Sequence, residues 1–201
     1  MRMRPIWYRS WFQALVAAVF ILFQPLRAEA LVISVDLDPG TAGVQSALTV
    51  APGDPFFVDV FISGVPAATP LNAFEFDLDF NPSVVSAVSV GIGGFLLAPA
   101  IVSESNVAPP DVNFAAATLL PAGASGDGVL AQVAFNAVAD GISALTLNDV
   151  NLSRPFGVPL TGFTLSNGSV TVASVSVSEP ATLLLFGAGL FALVGVRRRM
   201  N

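Results

Sequence analysis

The 201-residue chain has no cysteine and no histidine, and all eight of its basic residues are arginine, so it has no lysine either. Without thiols there is no disulfide framework, no thiolate nucleophile and no thiolate metal site. Without imidazole a Ser-His-Asp relay and the usual zinc centres are excluded. Without lysine there is neither a Schiff-base amine nor a Walker-type phosphate loop. Charge of either sign is scarce, 11% of residues against 54% apolar, which is too greasy for a disordered acidic tail or a solvated linker.

The few charges are unevenly placed. Arginines stand at 2, 4, 9, 27, 154, 197, 198 and 199, so seven of the eight lie near the two ends. Residues 31–178 hold twelve acids and only Arg154, a formal charge of −11. A body that acidic repels phosphate backbones, which argues against nucleic acid as a partner. Arg154 reads most simply as half of a surface ion pair with one of the aspartates, an interaction contributing about 0–1 kcal/mol.

The ends read as targeting segments. Arg2, Arg4 and Arg9 precede the apolar run Ala14–Phe23, and Ala28-Glu29-Ala30 supplies a small-residue cleavage pattern. That order predicts a signal peptide over residues 1–30, cut after Ala30; the run is short for a spanning anchor, which needs about 20 apolar residues. At the other end, Ser178-Glu179-Pro180 leads into the uncharged stretch 181–196 and then Arg197-Arg198-Arg199. As a helix that stretch rises about 24 Å, slightly less than a hydrocarbon core. Proline suits its first turn, and three arginines resist crossing at about 2.5–3.5 kcal/mol each. The reading is a transmembrane helix with the body outside and the arginine tail in the cytoplasm.

The triad of Ser-Glu-Pro, a glycine-containing apolar helix (Phe186-Gly187-Ala188-Gly189-Leu190) and a terminal arginine cluster resembles the PEP-CTERM sorting signal, with Ser178 where the family usually has proline. The resemblance implies recognition by an exosortase, a membrane-embedded transpeptidase-like enzyme. Cutting near Glu179-Pro180 would release or transfer the body to the cell surface or the extracellular polymer.

Between the ends, apolar residues alternate with a period of two, and Gly and Pro punctuate throughout. The clearest run is Ala73-Phe74-Glu75-Phe76-Asp77-Leu78-Asp79-Phe80, closed by Asn81-Pro82-Ser83. Further strands read as 31–37, 47–50, 56–62, 84–90, 112–117, 129–138, 142–147 and 169–173. About nine short strands argue for an all-β sandwich, with a jelly-roll order possible. The expected core is Val58, Val60, Phe74, Phe76, Leu78, Phe80, Val133, Phe135, Leu145 and Leu147.

The segments Phe57–Val65 and Leu71–Val85, with Gly128–Phe135, Gly141 and Leu145-Thr146-Leu147, look like the strands of a cohesin domain. This resemblance implies a nine-stranded jelly-roll sandwich over 31–173, joined by a linker at 174–178 to the sorting segment 179–201. It further implies a non-enzymatic module that binds a dockerin-like protein or a polysaccharide. The chain contains no dockerin-type calcium loop of its own.

Three groups merit weighing as sites. Glu75, Asp77 and Asp79 share one strand face with alternate Cα atoms about 6.6–7 Å apart. That spacing falls within the range of paired carboxylates in inverting glycosidases, but an open wet face offers nothing to separate their pKa values. The plain reading is a solvated face, with a binding face or calcium next and catalysis last. Phe57 and Phe61 point away from Phe56, Val58, Val60 and Ile62, and form either a partner patch or residues that a loop covers. Asp36 and Asp38, before Pro39-Gly40, are weak candidates for calcium, the one cofactor considered, in what reads first as a turn.

Overall fold

The structure, a computed structural model, describes residues 30–174. The expected signal peptide up to Glu29 with Ala28, the transmembrane stretch 181–196, and Ser178, Glu179, Pro180 and Arg197–Arg199 lie outside the described residues. Among the described residues no helix is long and apolar enough to cross a membrane.

The body is all β. Its strands are β1 (Val32–Asp36), β2 (Ala47–Val50), β3 (Pro55–Val65), β4 (Ala73–Asp79), β5 (Val85–Ile92), β6 (Ala100–Ala108), β7 (Asp111–Thr118), β8 (Gly126–Ala137), β9 (Gly141–Arg154), β10 (Val158–Pro159), β11 (Thr164–Ser166) and β12 (Gly168–Val172). One sheet runs β11-β1-β3-β8-β5; the other runs β2-β12-β9-β4-β7-β6, with β10 folded back onto β9. Twelve strands therefore replace the nine expected, and β6, β10 and β11 are the additions. β6 escapes the alternation rule because it is an edge strand exposed along almost its whole length, so neither face needs an apolar set. β9 continues past Leu147 to Arg154, with Asp149 at φ 45° beside a register shift in its pairing with β4.

Alternation works as expected where one face is covered. Phe74, Phe76 and Leu78 of β4 turn inward against Val112, Phe114 and Ala116 of β7, and from the opposite sheet come Ile33, Val58, Val60, Val133 and Phe135. All ten residues expected in the core are buried. Phe56 stacks on Phe135, its partner in the same sheet, at 5.5 Å between centroids. Phe80, which follows β4 of the other sheet, meets Phe135 edge-on at 5.4 Å and so ties the layers together. Such pairs add about 0.5–1.5 kcal/mol beyond area burial.

The chain changes sheets sharply near its end. A single residue, Asn167, separates β11 in one sheet from β12 in the other, and its Oδ1 accepts the Leu147 N–H at 3.0 Å. Gly168 follows because a Cβ there would press on the Leu37 Cδ1 at 3.0 Å. All four sheet edges are blunted: β2 and β11 have four and three residues, while β5 and β6 carry register shifts at Ala87/Ser89 and Val102/Glu104. Short or bulged edges resist pairing with stray strands.

The termini of the described body lie at opposite poles. β1 begins beside the end of β3, with Val32 opposite Ser63, and β9 finishes at that pole with Arg154. β12 ends where β9 begins, with Val172 opposite Gly141, and Ser174 bonds the Asp140 carboxylate there. Thirteen steps along β9 at about 3.3 Å each separate the two poles by roughly 40 Å.

Candidate functional site

Glu75, Asp77 and Asp79 stand on the outward face of β4, as alternation requires, in the middle of the larger sheet. Register then adds neighbours from three other strands. Asp77 lies between Asn113 of β7 and Asn148 of β9, and Asn113 lies opposite Asn106 of β6. Asn106 Nδ2 donates to Asn113 Oδ1 at 3.2 Å, and Asn113 Nδ2 donates to Asp77 Oδ1 at 2.6 Å. One residue row over, Asn148 Nδ2 donates to Asp79 Oδ2 at 2.6 Å, and Asn151 Nδ2 reaches Glu75 Oε2 at 3.5 Å. Glu104 and Asp111 extend the same face, being paired with Ala115 and Asp79 respectively.

The result is a rigid plate of amides and carboxylates with no basic side chain in these rows. Hydrogen bonds donated by Asn113 and Asn148 hold the Asp77 and Asp79 carboxylates in place, while their remaining lone pairs stay available to an outside donor. The amides are absent from the sequence-based candidates, because their role depends on register. The alternation of Asp111-Val112-Asn113-Phe114 is the one local signal that points to them.

Phe57 and Phe61 do not join this plate. They lie on β3, on the outer face of the other sheet, so the five candidate binding residues split between opposite sides of the sandwich. No loop covers Phe57, which is 55% exposed, whereas Phe61 is half-buried. Between them on the same face sits Asp59, only 7% exposed, with Asp36 opposite it on β1 and Gln132 opposite it on β8. Gln132 Nε2 donates to Asp59 Oδ1 at 2.8 Å.

Burial pushes the Asp59 carboxyl above its ordinary value, the Gln132 bond opposes that, and the Asp36 charge adds to the rise. The folded protein therefore holds this proton at higher pH than the unfolded chain does. Ionised Asp59 costs stability in full above its folded pKa; the cost fades as pH falls from there towards the unfolded value and is gone below it. Asp59→Asn keeps an acceptor for Gln132 and should raise the melting temperature by a few degrees near neutral pH, with no gain at about pH 3. Thermal melts of both proteins across pH check this; an equal shift at every pH refutes it.

The calcium candidates serve their own loop. Asp36 Oδ1 accepts the N–H groups of Asp38 at 3.2 Å and Gln45 at 3.0 Å, and Asp38 Oδ2 accepts the Thr41 hydroxyl at 2.6 Å. Among the described residues no group of three or more acids is gathered as a metal would need. Arg154 departs from its expected role. Its guanidinium forms no ion pair with any carboxylate among the described residues; Nη2 donates to the Pro159 carbonyl at 3.5 Å, and buried Nε has no partner.

Two packed sheets, one of whose outer faces carries hydrogen-bonded amides and carboxylates, define a jelly-roll sandwich. The cohesin domain profile matches residues 41–172, and the chain belongs to the cohesin family. A PEP-CTERM protein-sorting motif matches residues 176–199, which implies an exported protein handled at the cell envelope. Among solved structures, a non-cellulosomal cohesin from the archaeon Archaeoglobus fulgidus is similar at 20% identity and TM-score 0.57, covering 73% of this chain and 94% of its own. A cohesin from Clostridium acetobutylicum is similar at 23% and 0.57, covering 77% and 97%. A type I cohesin–dockerin complex from Clostridium thermocellum is similar at 15% and 0.58, covering 73% and 95%. No curated protein sequence matches the chain significantly.

Proposed function

We propose that this protein is a non-enzymatic, exported cohesin module that holds a dockerin-type protein partner against the plate formed by β6, β7, β4 and β9. The observation that carries the reading is the Asn106–Asn113–Asp77 chain of bonds, which pre-organises acceptors across three strands at no further ordering cost on binding. Five carboxylates face outward there, Glu75, Asp77, Asp79, Glu104 and Asp111, so the complementary partner presents arginine or lysine. Catalysis by the same acids fits poorly: they lie on an open face, where nothing sets one apart as a proton donor.

Surface plasmon resonance between the purified exported protein and dockerins from the same organism tests this reading. A Kd below about 1 μM for at least one of them, weakening with salt, is expected. Absence of binding at tens of micromolar overturns it.

The sorting motif supports the second half of the proposal. Ser178-Glu179-Pro180 would be cut by an exosortase after the arginine tail stops transfer across the membrane. Deleting Arg197–Arg199 is expected to let unprocessed protein escape the membrane fraction. Mass spectrometry of the unaltered protein should find a mature start at Leu31 and an end near Glu179. Normal processing of the truncated chain would count against the tail's role.

A further inference from the structure

The pole opposite the chain's exit at Ser174 carries the body's one cation in an unusual setting. Arg154 ends β9, and Pro155–Gly157 form a single 3-10 turn that sends β10 back along β9, with Val158 opposite Arg154. The turn requires left-handed backbone at Phe156 (φ 67°) and Gly157 (φ 71°). Phenylalanine is disfavoured in that region, and there the turn leaves its ring 95% exposed. Beside the turn is an open cavity of about 430 Å³, lined by Arg154, Thr69, Thr161, Gly64, Gly162 and Leu31.

A guanidinium has five donors, and this one uses a single long bond to Pro159. Its Nε is buried without an acceptor, and the guanidinium, which borders the cavity, keeps further donors free for a carboxylate. Asp127 turns one carboxylate oxygen to the Gly64 N–H at 2.7 Å and makes no ion pair with Arg154. Thr69 and Thr161 line the cavity, and Phe156, its ring exposed, stands two residues along the chain from Arg154.

We propose that this pole is a second binding site, for a carboxylate-bearing sugar such as the uronate units of an acidic polysaccharide. Arg154 takes the carboxylate, the threonine hydroxyls take ring hydroxyls, and Phe156 packs on the face of a sugar ring. Elsewhere the body's charge of −11 disfavours an anionic polymer, which confines such a ligand to this end. The expected cleavage after Ala30 strengthens the site, because Ala30 and Leu31 both border the cavity. Removing Ala30 opens the rim and leaves the Leu31 ammonium on it as a second cation. The site lies at the pole where β9 ends, beyond the Asp77 and Asp79 rows of the dockerin face.

Calorimetric titration of the purified exported protein with an oligogalacturonate, and with a neutral galacto-oligosaccharide of equal length, tests the site. The acidic oligomer is expected to bind and the neutral one not. Arg154→Gln should weaken binding at least tenfold, Arg154→Lys less, and Phe156→Ala several-fold with an unchanged melting temperature. Should Arg154→Gln fail to fold, the two probes and Phe156→Ala decide the matter alone. The site is overturned by no binding of the acidic oligomer, by equal binding of both sugars, by wild-type affinity in folded Arg154→Gln or in Phe156→Ala, or by tighter binding of a polyglutamate peptide than of the oligogalacturonate.

Discussion

Phe114→Ala should destabilise the body by about 3–5 kcal/mol, a large share of the 5–15 kcal/mol typical of a domain. The ring is 1% exposed and lies 6.1 Å, centroid to centroid, from both Phe74 and Phe76. Removing it deletes two aromatic contacts and leaves a void in the core beneath β7 and β4, which neighbours from a rigid sheet cannot fill. A domain of this size should lose about 10–15 °C in melting temperature, read by far-UV circular dichroism. Phe57→Ser serves as the contrast: that ring is 55% exposed, and its loss should change the melt little. A Phe114→Ala drop no larger than the Phe57→Ser drop would mean that the inner aromatic cluster does not hold the sandwich.

Asp77→Lys should weaken dockerin binding about 30-fold or more, the 2 kcal/mol that marks an interface hot spot. The substitution removes the acceptor at the end of the Asn106–Asn113–Asp77 chain and places a cation at the centre of an acidic plate. Asn113 then loses its 2.6 Å bond, so the damage spreads to β7 and β6. Stability should change by no more than about 1 kcal/mol, because Asp77 is only partly buried. Glu75→Gln, at an exposed position with one long amide contact, should act mainly on the association rate and its salt dependence. Unchanged affinity in folded Asp77→Lys would move the interface off this sheet.

Much of the fold is legible locally because strands covered on one face must alternate. The alternation of Phe74, Phe76 and Leu78 with Glu75, Asp77 and Asp79 is enough to place β4 and both its faces. β6 is not legible for the reverse reason, since an exposed edge imposes no pattern on Ala100–Ala108. β10 and β11, at two and three residues, are too short to carry a period. The candidate site is half legible. Its carboxylates announce themselves in one run, but their amide partners at 106, 113, 148 and 151 come from three separate segments, and only pairing register brings them together. Sheet assignment likewise sets Phe57 and Phe61 on the far side of the sandwich from those acids.

Arg154 shows the limit most plainly. Counting charges marks it as the body's single cation and suggests that one of twelve aspartates and glutamates would claim it. In the fold the turn at Pro155–Gly157 and the return of β10 set the guanidinium beside a cavity, with no carboxylate among the described residues paired to it. By itself, the order of residues determined an all-strand acidic body, its apolar interior and the sorting motif that follows it. Composition and short-range periodicity suffice for these because burial acts on each strand separately. Only the tertiary structure decided which polar side chains meet across strands, which rings stay in solvent and where the lone cation points. Those depend on register and on single tight turns, and a shift of one residue would reverse every facing.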